Sequence, residues 1–153
     1  MEDKIPSNNP KSDAPQGSNE TGAPKVSIII RTLNEERYVG GLLEGIRNQT
    51  LQDVEIINVD SGSSDRTPEI MRAYADKMIQ IPPEDFTFGY SLNLGCQAAS
   101  GEFLVMVSAH VLPVINSWLS NLVQPFDDPV VGLVYGQQRG YKTSRIGEER
   151  DLR

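Results

Sequence analysis

The chain has 153 residues, with 14 Lys and Arg against 21 Asp and Glu, a formal net charge of −7. That length allows one domain and little more. The acidic, scattered charge argues against a nucleic-acid binder, which shows a basic patch. The longest uniformly apolar run, Phe103 to Val107, is far short of the ~20 residues a membrane-spanning helix needs.

Residues 1–24 read as a disordered tail. Twelve of these 24 are Pro, Gly, Ser or Asn and none is aromatic, so the segment cannot bury enough apolar surface to offset its ordering entropy. Met1-Glu2-Asp3-Lys4 has no apolar stretch behind it, so no secretory signal is expected. Cys96 is the one cysteine. It can form no internal disulfide, which fits the cytosol or the cytosolic face of a membrane. Core packing is its expected role rather than nucleophilic catalysis.

From Lys25 the pattern is that of a folded domain, expected over 25–138. Val26-Ser27-Ile28-Ile29-Ile30 is a β-branched run typical of a buried strand. Tyr38, Val39, Leu42, Leu43 and Ile46 recur at helical spacing, with Gly40 and Gly41 placed for close packing on the sheet. Val54 to Val59 is a second strand. The turn Asp60-Ser61-Gly62-Ser63-Ser64-Asp65 leads to a helix that runs to about Asp76, with Thr67 as cap and Pro68 in its first turn. Met78 to Ile81 is a short strand, Tyr90 to Ala99 a helix and Glu102 to Val107 a strand. Ile115, Trp118, Leu119, Leu122, Val123 and Phe126 mark a helix stopped by Asp127-Asp128-Pro129. Val130 to Tyr135 reads as a last strand. Residues 139–153, eight of them charged, form a polar terminal segment. Strands alternating with helices imply an α/β fold, a mostly parallel sheet with helices on both faces.

In such sheets ligands sit outside the carboxyl ends of the strands. That selects Thr32 to Glu36, Asp60 to Asp65 and Ser108 to His110. Asp60 serves either as a turn cap or as a carboxylate for a ring N–H or ribose hydroxyl; Asn34 and Glu35 offer similar groups. Asp65 reads as a cap. Phe88 to Gly95 lacks the Gly-Lys-Ser/Thr of a phosphate loop, and no Gly-x-Gly-x-x-Gly follows the first strand. His110, the single histidine, is a metal ligand or a structural residue.

Together these segments resemble family-2 glycosyltransferases of the GT-A fold. The resemblance is carried by Val26 to Glu36, Val59 to Thr67, Phe88 to Gly95 and Ala99 to Val107, and covers about residues 25–137. It implies a nucleotide-diphosphate sugar over the first half of the sheet and a divalent cation, manganese or magnesium, at the diphosphate. It also implies transfer to an acceptor hydroxyl with inversion. Thr32, Asn34, Glu35, Asp60, Ser61, Asn93 and Ser108 would line the donor pocket, with Asp60 at the base and Asn93 near the diphosphate or ribose. The family's Asp-x-Asp reads Ser108-Ala109-His110 here, a triplet similar to that of a subset of these transferases. It places His110 where the principal metal ligand belongs. The family's general base has no counterpart, so the chain is expected to be the donor-binding portion of a transferase. The alternative is a binding module without turnover. Members act on cell-surface polysaccharides, lipid carriers and small solutes, so the acceptor stays open, as does peripheral membrane association.

Overall fold

The computed structural model describes residues 23–140. Residues 1–22 of the tail expected over 1–24 and residues 141–153 of the charged segment expected over 139–153 lie outside the described residues. Four strands, β1 (Val26–Thr32), β2 (Val54–Asp60), β3 (Lys77–Gln80) and β4 (Phe103–Ser108), form one sheet in the order β3-β2-β1-β4. Every pairing is parallel. Four helices connect or follow the strands: α1 (Val39–Arg47), α2 (Thr67–Arg72), α3 (Phe88–Ala98) and α4 (Trp118–Val123).

Alternation along β1 divides the sheet into two faces. Val26, Ile28 and Ile30 join Val39, Leu42, Leu43 and Ile46 of α1, Met71 of α2, and Leu119 and Val123 of α4 in one apolar core. Ile29 and Val59 point the other way, against α3. Helices therefore cover both faces, as the strand–helix alternation requires. Gly95 lets α3 approach: a methyl group there would run into Ile29 Cγ2. Gly40 and Gly41 do not pack on the sheet, contrary to expectation. An added Cβ at Gly40 meets nothing within 4 Å, and at Gly41 only Leu112, 3.5 Å away.

At the amino end of the strands, Glu55 ties the whole sheet together. Its carboxylate accepts hydrogen bonds from Ser27 Oγ on β1 at 2.6 Å and from Ser100 N and Oγ, ahead of β4, at 2.6 and 2.8 Å. It also pairs with Lys77 Nζ of β3 at 2.9 Å. Gly101 sits against this cluster. A Cβ there would lie 2.7 Å from Ser27 N and 2.8 Å from Val26 C, backbone atoms of the central strand. We expect Gly101→Ala to cost about 2–3 kcal/mol, the penalty of overpacking against atoms that cannot move aside. Denaturant midpoints for both proteins check this, and an unchanged midpoint contradicts it.

Two further expectations fail. Residues 130–135 form no strand; Val130, Leu133 and Tyr135 are 85%, 82% and 88% exposed. A β-branched run makes a strand only when a neighbour supplies hydrogen bonds, and among the described residues this one has no strand beside it. Thr67 is also not the cap of α2, which begins at Thr67 itself. Helix ends shift as well. α2 stops at Arg72 rather than Asp76, α3 begins two residues early at Phe88, and α4 gives way to a 3-10 turn at Gln124–Asp127.

Candidate functional site

The direction of the chain across the sheet reverses between β1 and β4: β2 and β3 lie on one side of β1, β4 on the other. Ligands of open parallel sheets bind at this switch point, outside the carboxyl ends. The loops after β1 and β4 border it, and the loop after β2 lies next to them.

The β1 and β2 loops are laced together by backbone and side-chain hydrogen bonds. Asn34 N donates to Ser63 Oγ at 2.9 Å, Glu35 N to Thr67 Oγ1 at 2.7 Å and Glu36 N to Asp65 Oδ2 at 3.1 Å. In return Ser64 N donates to Asn34 Oδ1 at 2.9 Å and Arg66 N to Glu36 Oε2 at 2.9 Å. Asn34 has φ 56°, the left-handed region that asparagine tolerates better than other side chains. That conformation accompanies its bonds to the neighbouring loop. Thr67 is buried, its hydroxyl turned to Glu35, while Asp65 Oδ1 accepts from Thr67 N at 2.9 Å. Partial burial pushes the Asp65 pKa up, but the bonds from Thr67 and from Glu36 N outweigh it and hold it below the usual carboxylate value. Asp65 is thus a turn and helix-start cap, as its sequence suggests.

Asp60 is fully buried beneath this lacing. Oδ1 accepts from Thr32 Oγ1 at 2.9 Å and Ser63 Oγ at 2.5 Å. Oδ2 accepts from Gly62 N at 3.2 Å and Ser63 N at 3.0 Å. Gly62, at φ 87°, makes the turn that brings these N–H groups round. Thr32, also buried, accepts from Asn58 Nδ2 at 2.9 Å. Two buried polar atoms among the described residues have no hydrogen-bond partner: Asn58 Oδ1 and Ser61 Oγ. Ser61 directly follows β2 at the ligand edge.

At the β4 exit, Ser108 Oγ lies 3.2 Å from His110 Nε2. His110 Nδ1 lies 3.4 Å from Glu35 Oε1, across the switch point. The structure therefore brings Asn34, Glu35, Ser108 and His110 to one edge, with Thr32, Asp60 and Ser61 as the buried floor beside them. Asn93 is exposed on α3, the helix that packs against Ile29 and Val59. Sequence reading placed Ser63 and Ser64 in a ligand loop and Thr67 as a cap, but missed the bonds by which they join the β1 and β2 loops. Their signal was the density of hydroxyls in a turn facing a second polar loop. Arg31, whose guanidinium stacks on Phe88 at 4.6 Å, was also missed. It is the register neighbour of Ser108 on β4. Among the described residues no three His, Cys, Asp or Glu side chains converge as a metal cluster, and no helix is long and apolar enough to cross a membrane.

Comparison with known proteins bears on the family and the fold. The putative glycosyltransferase EpsH of Bacillus subtilis is 37% identical over 89 residues, 56% of this chain and 26% of EpsH. The O-antigen chain rhamnosyltransferase RfbN of Salmonella typhimurium is 27% identical over 120 residues, 77% of this chain and 38% of RfbN. The mannosyltransferase PcManGT of Pyrobaculum calidifontis, solved in complex with GDP-Man and Mn2+, superposes with a TM-score of 0.63 at 28% identity, covering 80% of this chain and 38% of that one. The chain thus spans well under half the length of each of these proteins. The sheet is the GT-A arrangement in part. The profile of glycosyl transferase family 2 matches residues 27–153, and with that match over most of its length the chain belongs to this family.

Proposed function

We propose that the chain is the donor-binding portion of a glycosyltransferase. It takes a nucleotide-diphosphate sugar at the β1/β4 switch point, for transfer to an acceptor hydroxyl with inversion. The observation that carries this reading is the convergence of the β1, β2 and β4 loops on one sheet edge. It is supported by family membership and by a neighbour solved with GDP-Man and Mn2+. Thr32, Asn34, Asp60 and Ser61 form the nucleoside side of the pocket, and Ser61 Oγ is a buried hydroxyl that a ribose or base group can satisfy. Glu35 and Ser108 face the diphosphate side. Asn93, exposed on α3, is assigned to the diphosphate or ribose side. In the transfer the acceptor oxygen bonds to the anomeric carbon, the bond to the diphosphate breaks, and the acceptor proton passes to a base. The domain is expected to work at the cytosolic side of a membrane or in the cytosol, in polysaccharide assembly.

The donor set fits a divalent cation of the manganese type. His110 offers an imidazole at the position of the family's metal ligand, and imidazole suits transition ions where magnesium prefers oxygen. Such a cation neutralises the charge of the leaving diphosphate when bound. A second reading, a module that binds the donor without turnover, is favoured by the Ser108-Ala109-His110 triplet, which carries neither carboxylate of the Asp-x-Asp.

Calorimetric titration of the 153-residue chain with uridine and guanosine diphosphates, with and without Mn2+, tests the proposal. We expect Mn2+-enhanced binding, a weaker effect of Mg2+, and loss of at least tenfold of the Mn2+ enhancement in His110→Ala. No binding of either nucleotide by folded protein overturns the donor-site reading. Binding without transfer to any acceptor favours the module.

A further inference from the structure

We infer that Glu35 is the second protein ligand of the cation, supplying from the β1 loop the carboxylate that the β4 exit lacks. The inference rests on the donor-site reading.

Three observations lead to it. Ser108-Ala109-His110 provides one imidazole and no negative charge at the β4 exit. A neutral imidazole alone holds a divalent ion poorly, whereas sites that share an ion with substrate phosphates bind it through one or two carboxylates. Among the described residues, Glu35 is a carboxylate that reaches this imidazole, although it lies 75 residues away in sequence. It gets there because Glu35 N is anchored on Thr67 Oγ1, which sets the loop's direction at the switch point.

The spacing suits a shared ion. Two donors bonded at about 2.1 Å to one centre stand about 3.0 Å apart in cis octahedral geometry and about 3.4 Å apart in tetrahedral geometry. Nδ1 and Oε1 are 3.4 Å apart, so small side-chain rotations bring both onto one ion. As a plain ion pair the contact has little to offer. The His110 side chain is 59% exposed and that of Glu35 21%, and exposed pairs contribute little to stability. Two protein donors leave the remaining positions of the ion to diphosphate oxygens and water, the division of labour seen when an ion bridges protein and phosphate.

The test uses the 153-residue chain and Mn2+ as the probe. Free Mn2+ is read by electron paramagnetic resonance, with and without uridine diphosphate, corrected for the Mn2+–nucleotide complex in buffer. Nucleotide affinity without metal is measured in parallel, and circular dichroism checks folding. We expect Glu35→Gln and His110→Ala each to weaken Mn2+ binding at least tenfold. The double variant should be little worse than either single one, because both ligands serve one ion. The loss of Mn2+ affinity should exceed any loss of metal-free nucleotide affinity at least tenfold. Unchanged Mn2+ affinity in folded Glu35→Gln overturns the inference and leaves a plain ion pair. Equal loss of metal-free nucleotide binding in Glu35→Gln also overturns it and makes Glu35 a nucleotide contact, with the donor site intact. If the folded wild type binds no nucleotide, the donor-site reading fails by itself. The titration with Mn2+ alone then decides the pair, with tighter binding by wild type than by Glu35→Gln supporting it and equal binding overturning it.

Discussion

Replacing Asp60 by alanine is expected to cost about 3–5 kcal/mol and to abolish nucleotide binding within the measurable range. The stability loss follows from what the carboxylate holds. It is fully buried and accepts from Thr32 Oγ1, Ser63 Oγ, Ser63 N and Gly62 N. Alanine leaves those donors facing one another, and stripping one side from a buried charged network costs several kcal/mol. Asp60→Asn separates the two effects. An amide oxygen can still face Gly62 N and Ser63 N, while its NH2 faces two hydroxyls that can rotate to accept. We expect the asparagine variant to fold with a loss of about 1–2 kcal/mol. If it then binds nucleotide like wild type, Asp60 only shapes the loop. If it binds at least tenfold more weakly while folded, the carboxylate meets the ligand. Urea denaturation and nucleotide titration of the three proteins give the answer.

The second large effect lies at the opposite end of the strands. Glu55→Ala should cost about 3 kcal/mol at pH 7, because one buried carboxylate joins elements of all four strands. Burial alone pushes the Glu55 carboxyl up. The hydrogen bonds from Ser27, Lys77 and Ser100 outweigh it and bring the pKa from 4.5 to about 2. A folded value below the unfolded one means that the stabilisation is fully present above about pH 4.5 and is lost as pH falls toward 2. The stability difference between wild type and Glu55→Ala should therefore shrink across that window. A difference that stays constant down to pH 2 contradicts the assignment. Glu55 is remote from the ligand edge, so nucleotide affinity of the folded variant should match wild type. That contrast with Asp60 separates loss of fold from loss of site.

Much of this protein was determined by local sequence alone. The β-branched run Val26 to Ile30, the helical spacing of Val39, Leu42, Leu43 and Ile46, and the polar segments after β1, β2 and β4 fix the α/β order and point to the edge proposed for the ligand. Each signal depends on neighbours within a turn or two, and burial on one face or both leaves its own period. Asp65 as a cap was legible for the same reason in its bond from Thr67 N, two residues on; its bond from Glu36 N, 29 residues away, was not.

What only the tertiary structure decided involves partners distant in sequence. Asp60 is enclosed because β1 and β2 run in register and place Thr32 beside it. Thr67 gives its hydroxyl to Glu35 rather than to its own helix because the two loops meet there. Glu35 and His110 share one edge because β4 lies on the far side of β1 from β2. Residues 130–135 have strand-like composition but no strand beside them among the described residues, so composition misled. Periodicity records which face of an element is buried; it carries no record of which other element is brought against it, and the chemistry of this site depends on that second fact.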